Sequence, residues 1–441
     1  MNYRFQYSPV LRPPQTRDRK EDPRNPLIKY FNLKSGTIQH NRVARAYGNQ
    51  DMYRDATASD ANHIEKQLSV LEQVASRVFN RTKAAQKLGA ASVDVTRTEL
   101  NTIRKFLFVM KYRNQRFWQK YNRPSIAEYI EVDKSYVANF MRQRGFKKPA
   151  EVWLCTIKAI LDTRIDPQGK WKETVLEKAF EHDALWFIMN MTESYLNFCT
   201  PQDPEHDEFI ITENGFGIHE GPTAVNPTTD PITGAELAET GKYTEYHKIA
   251  PLSPRLLVVL RSNFLRPGQE QMLRALRATP DIPDTPSLFE DLRLEAAKPS
   301  YGILSDHGEL SDDHVFTFKI QKLSRKWVDL FNTVALAEAR KSITWKSDAA
   351  MQRTMRAYLE HPAFRPVQGL DMGEKRELKE KLFTLLGGDA TTIPKVFTMT
   401  DEMKRELKKN PKLAPYFKLG KTTPLYQRLR AYSHQEEPPL A

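Results

Sequence analysis

Between Asp60 and Val78, apolar residues stand at Ile64, Leu68, Leu71, Ala75 and Val78, alternately four and three apart. Only a helix turns that spacing into one continuous face, because about 3.6 residues complete a turn. Asp60 supplies a capping side chain ahead of it. A second stripe, Leu100, Ile103, Leu107, Met110 and Phe117, follows a Thr96-x-x-Glu99 pair with the spacing of a capping box. At about 100° per residue, Lys105, Tyr112 and Arg116 lie opposite this stripe, and Arg104 and Lys111 flank its edge. Two long amphipathic helices so close in sequence need a common apolar partner, which commits the chain to a helix-rich core.

Other segments supply that partner. Leu27–Leu33 is β-prone, and Lys34-Ser35-Gly36 separates it from Thr37–Val43, which predicts a hairpin. Glu208-Phe-Ile-Ile-Thr212 and Leu256-Leu-Val-Val-Leu260 read as strands, and Ala184–Met191 as a further one. Helices are expected at Ser125–Gln143, Ala150–Asp162 and Trp171–Asp183, with a short one at Glu270–Ala278. Val315–Phe318 begins as strand and leads into a helix carrying Leu323, Trp327, Leu330 and Val334. The expected fold class is α+β, predominantly helical. It has a small central antiparallel or mixed sheet from segments around 28–43, 184–190, 208–212 and 256–260, an N-terminal hairpin, and a helical C-terminal extension. The expected divisions are an irregular Pro- and Arg-rich arm (1–26), a core domain (27–265), a linker with helical extension (266–345) and a charged helical region (346–441).

Charge is unevenly spread. The chain carries 67 Lys and Arg against 55 Asp and Glu, a formal net charge of +12. From Arg97 to Lys148 there are 13 basic and 4 acidic residues; from Thr200 to Glu245 there are 10 acidic and 1 basic. Three readings follow: the blocks neutralise each other internally, they form solvated faces, or the basic block lines a ligand groove. The expected partners are accordingly nucleic acid or an acidic protein. Cys155 and Cys199 are too few for a disulfide framework or a four-Cys zinc site. No run approaches the ~18–20 apolar residues of a spanning helix. The first residues lack the apolar core of a secretory signal. A soluble, intracellular chain, cytoplasmic or nuclear and without a membrane partner, is expected.

Three segments share an order and spacing. They are Ile28-Lys-Tyr-Phe-Asn-Leu-Lys-Ser-Gly36 running to Asp51-Met-Tyr53, the Ile64-Glu65 through Leu71-Glu72 helix, and Phe209-Ile-Ile-Thr-Glu-Asn-Gly215 followed by Ile249-Ala-Pro-Leu-Ser-Pro254. Over roughly residues 3–265 the chain resembles the domain of unknown function 4238 family of bacteria and fungi. Members commonly read His-Tyr-Val-Pro near the start, then Phe-Ile-Thr-Ser-Asp-Asn-Pro, then Pro-Leu-Ser-Pro. This chain has Gln6-Tyr7-Ser8-Pro9 at the first motif, with no histidine, and Glu213 and Gly215 where the family commonly has Asp and Pro. The resemblance implies domain limits and no particular chemistry.

Candidate site residues come from position. Glu213 and Asn214 stand where a strand ends and a loop begins. With Glu65 and Glu72 they compose a catalytic carboxylate set able to bind Mg²⁺ or Mn²⁺. Arg104, Lys111, Arg113 and Arg116 are the candidate phosphate holders. The opposing reading makes Glu65 and Glu72 helix-surface charges and Glu213-Asn214 a turn. His206, Asp207, Glu208, His219 and Glu220 form a looser acidic–histidine set around the same strand. Gly215-Phe-Gly217-x-x-x-Gly221 misses dinucleotide-loop spacing, and Pro415 and Pro424 spoil the P-loop-like Gly420-Lys421-Thr422. The functional expectation is a phosphate- or nucleic-acid-directed protein, hydrolase-like or ligand-binding, with dependence on Mg²⁺ or Mn²⁺ as one option. The alternative is a non-catalytic interaction protein that uses a basic helix face and its C-terminal helices.

Overall fold

The computed structural model describes residues 27–42, 59–112, 121, 126, 131–213, 215, 217–225, 242–268, 288–289, 291–301, 311–361 and 376–393. The expected arm at 1–26, most of the loop at 221–241, the helix at 270–278, Asn214, Arg113, Arg116 and the charged stretch at 401–409 lie outside them.

The predicted hairpin is present. Strands β1 (Leu27–Asn32) and β2 (Thr37–Arg42) pair antiparallel from Leu27↔Arg42 to Asn32↔Thr37. The Asn32 side chain accepts from the amides of Lys34 and Ser35. Gly36 closes the turn at φ +65°, a left-handed value that costs glycine little. Helix α1 (His63–Lys87) buries Ile64, Leu68, Ala75 and Val78, the predicted stripe. Strand β3 (Ser92–Thr96) runs directly into α2 (Arg97–Tyr112). The capping box forms there: the Glu99 amide donates to the Thr96 hydroxyl (3.2 Å), and the Thr96 amide to the Glu99 carboxylate (3.0 Å). Arg81 of α1 donates to both oxygens of the same carboxylate, which ties the two helices together.

Helices α3 (Glu131–Arg144), α4 (Pro149–Asp162), α5 (Trp171–Lys178) and α6 (Glu181–Thr192) follow. Here one expectation fails: Ala184–Met191 is helix, not strand. A short apolar run has no period that separates the two states. Glu181 and Asp183 favour a helix start through the dipole, and Ala184, Phe187 and Met191 bury one face at offsets of three and four. The strand comes after it, as β4 (Ser194–Pro201), buried on both faces.

Strands β5 (Ile211–Thr212), β6 (Gly217–Val225), β7 (Lys242–Ser253), β8 (Leu256–Ser262) and β9 (Lys298–Tyr301) precede β10 (Val315–Leu323) and helix α7 (Arg325–Glu338). Strand β11 (Ser342–Thr344) and helices α8 (Asp348–Glu360) and α9 (Arg376–Leu385) complete the described order. The fold is helix-rich α+β with two sheets. One runs β2-β1-β11-β5, all antiparallel. The other runs β3-β10-β4-β8-β7-β6, with β9 beside the first half of β10. Among the described strands, only β10 and β4 pair parallel. No described helix is long and apolar enough to cross a membrane.

The centre of the larger sheet, β4, β8 and the described end of β7, is buried on both faces. On one, Leu196, Phe198, Ala250, Leu252, Val258 and Leu260 pack on Ala75, Phe79, Ile103, Phe106 and Leu107 of α1 and α2. On the other, Cys199, Ile249, Leu257 and Val259 pack on Phe289, Leu292 and on Phe331 and Val334 of α7. Each such side chain contributes roughly 1.5–3 kcal/mol, so this two-sided burial fixes α2 and β7 against each other. A third core joins α4, α5 and α6 to the end of α2, and a fourth joins α7, α8 and α9 to the smaller sheet.

Candidate functional site

The acidic strand-end residue has a structural engagement. Glu213 follows β5, and its two carboxylate oxygens accept from the amides of Arg340 (2.6 Å), in the turn after α7, and Ser342 (3.1 Å), the first residue of β11. Glu208, at the other end of the same segment, is buried and accepts from the amides of Lys346 (2.8 Å) and Ser347 (2.9 Å). Between them, Asn332 of α7 donates to the Glu208 carbonyl and accepts from the Ile210 amide. The 208–213 segment is therefore clamped to α7, β11 and the start of α8 by carboxylates that satisfy backbone donors. Glu65 is exposed on α1, and Glu72 is buried on the same helix. These acids do not come together as a ligand set: among the described residues no three His, Cys, Asp or Glu side chains converge as an ion requires.

Helix α2 uses its basic residues inside the protein. Arg104 donates to the carbonyls of Met191 (3.3 Å) and Ser194 (2.9 Å), at the C-terminal end of α6. Lys105, the next residue, donates to the carbonyls of Leu161 (2.6 Å) and Thr163 (2.8 Å), at the end of α4. Helix ends leave carbonyls without partners and carry partial negative charge, so two consecutive cations on α2 cap two neighbouring helices. Burial pushes Arg104 down to about 10 and Lys105 down to about 8.

The last turn of α2 differs. Lys111 is buried, and its Nζ lies 3.4 Å from Oε2 of Glu338 at the end of α7. One turn earlier, the ring of Phe108 lies 4.6 Å from that of Trp186 of α6. Over both rings sits the Nζ of Lys248, 4.7 Å from the Phe108 centroid and 5.5 Å from that of Trp186. Lys248 is 5% exposed, and its amine has no hydrogen-bond partner among the described residues. Its backbone is fixed on both sides, paired with Ile218 of β6 and Leu260 of β8. Burial, and then the nearby positive charge of Lys111, holds the Lys248 amine well below the usual lysine range.

A family model described as a protein of unknown function (DUF4238) matches residues 4–349, most of the chain. The chain belongs to that family. No curated protein and no solved structure matches it. The DUF4238 match runs just past β11, so it takes in the strands and helix that clamp the 208–213 motif as well as the motif itself.

In this DUF4238 chain the end of α2 is also anchored through Tyr112, the residue after Lys111. The hydroxyls of Tyr112 (2.7 Å) and Tyr121 (2.5 Å) both donate to Oδ2 of Asp183, in the first turn of α6. Burial, with the Asp183 charge beside it, raises the Tyr112 phenol well above its ordinary value, so it remains a neutral donor. Of the sequence-predicted site residues, Lys111 is the one brought to an unsatisfied polar group. Lys248 and Trp186 were missed. The signal was present: Ala250 and Leu252 face the core at period two, which places Lys248 on the same face. Chemically, the arrangement offers two amines within electrostatic reach of each other, Lys111 paired to a carboxylate and Lys248 over two aromatic rings with no acceptor among the described residues.

Proposed function

We propose that this DUF4238 protein binds a small anionic ligand, of the phosphate or carboxylate class, between Lys111 and Lys248. The observation that carries this reading is the Lys248 amine, buried, with no acceptor among the described residues and within reach of the charge of a second lysine. A buried ammonium with no partner costs several kcal/mol, so the empty site favours the neutral amine. An anion supplies the missing acceptor and stabilises charge on both lysines. Binding inorganic phosphate then draws a proton onto Lys248.

A small ligand is preferred to a nucleic-acid strand because α2 spends its basic residues internally. Arg97 donates to the Ser311 carbonyl, Arg104 and Lys105 to helix ends, and Lys111 to Glu338. Little of that charge remains for phosphates along a surface. Isothermal titration with inorganic phosphate, in two buffers of different ionisation enthalpy, tests the reading. Saturable binding with proton uptake near neutral pH, abolished in Lys248→Met, supports it. Unchanged binding in Lys248→Met, or no binding at low salt, overturns it.

A further inference from the structure

Lys248 has chemistry that anion binding alone does not use. Its surroundings are aromatic and apolar: Phe108 and Trp186 lie under the amine, and its strand neighbours on the same face, Ala250 and Leu252, are core residues. Nothing described accepts a hydrogen bond from it. Lys111, a positive charge close enough to act on Lys248, is engaged by the Glu338 carboxylate, whereas Lys248 has no such partner among the described residues. The two amines differ in surroundings: Lys111 faces a carboxylate, and Lys248 faces two aromatic rings, where burial favours its neutral form. A neutral lysine amine, desolvated and beside another cation, is the form that attacks carbonyl carbon.

Resting on the anion-binding reading, we propose that Lys248 forms an imine with a small aldehyde or ketone whose anionic group is held by Lys111. The Nζ lone pair attacks the carbonyl carbon, and the C=O π pair moves to oxygen. A proton passes from nitrogen to that oxygen to give a carbinolamine. Loss of the hydroxyl with one further proton, as water, leaves the C=N bond. The balance is one amine and one carbonyl giving one imine and one water, with no change of oxidation state. The flat C=N unit then lies against the Phe108 and Trp186 rings, and its protonated form keeps the cation–π contact that the neutral amine lacks.

The test uses glyoxylate, a two-carbon anionic aldehyde, and propionaldehyde as a small neutral counterpart. The full chain is incubated with each in the presence of cyanoborohydride, which reduces an imine to a stable amine. Adducts are then mapped by mass spectrometry. The expected result is one preferred adduct, on Lys248, with a labelling rate half-maximal at a pH well below that of surface lysines. Lys248→Met, which has no amine, removes the adduct. Lys111→Met lowers the ratio of glyoxylate to propionaldehyde labelling by about tenfold, the loss of one charge contact. Inorganic phosphate protects the wild-type chain from glyoxylate, which makes the same point without a variant. Labelling spread over surface lysines, with Lys248 unmodified, overturns the imine. If phosphate still binds in that case, the anion site stands alone; if phosphate binding is also absent, both readings fall.

Discussion

The amine of Lys248 lies 4.7 Å from the ring centroid of Phe108, in the space between β7 and α2, where Ala250, Leu252 and Leu260 on the same sheet face are core residues. A lysine there opposes the fold unless it is neutral or a ligand pairs it. The pH dependence follows from linkage. The folded value is depressed, so between the folded value and about 10.4, the ordinary lysine value, the unfolded chain binds more protons. Stability therefore rises with pH across that window, and the penalty is greatest at and below its lower end. Lys248→Met removes the penalty. In urea unfolding it stabilises the ligand-free chain by about 1–4 kcal/mol at neutral pH, a gain that shrinks toward pH ~10. A destabilised variant at neutral pH would show that the amine has a partner.

Glu213 is expected to matter for stability and not for the ligand. Its carboxylate satisfies two backbone donors, so Glu213→Ala leaves both without it and costs about 2–4 kcal/mol. Glu213→Gln keeps one acceptor and costs less. Chemical denaturation gives both values. Phosphate affinity measured on folded protein stays at the wild-type level, whereas a tenfold loss would return Glu213 to the binding site.

Lys105 gives a spectroscopic check on the helix-end assignment. Burial brings its titration down to about 8, about two units below exposed lysines. Carbon-13 NMR of labelled lysine side chains should show one resonance moving near that pH, absent in Lys105→Met. That variant also leaves the carbonyls of Leu161 and Thr163 without their donor, and should lose about 1–3 kcal/mol.

The two cysteines should separate cleanly. Cys199 is fully buried, and its thiol is pushed up to about 12 by burial; Cys155 is half-buried and donates to the Lys178 carbonyl. A thiol reagent at neutral pH should modify Cys155 slowly in the native chain, and Cys199 only after unfolding. Equal rates in native protein would mean that the β4 core opens.

Much of the architecture was legible because it rests on neighbours in sequence. The Thr96–Glu99 capping box, the α1 stripe and the turn at Gly36 each involve residues within one or two helical turns, or one loop, of one another. Ala184–Met191 misled because eight apolar residues fit either a buried strand or a helix, and the choice depended on which neighbours covered them.

The candidate site divides the same way. The sequence by itself singled out Lys111 and Arg104 as basic residues on one helix, and Glu213 as an acid at a strand end. Whether each was free or engaged was decided by partners far along the chain: Glu338 for Lys111, Met191 and Ser194 for Arg104, Arg340 and Ser342 for Glu213. Lys248 is the extreme case, since Phe108, Trp186 and Lys248 come from three separate elements and meet only when the sheet closes against α2 and α6. Local pattern determines which elements form and which face is apolar. Desolvation and charge pairing depend on what finally packs against a side chain, so they belong to the tertiary structure alone.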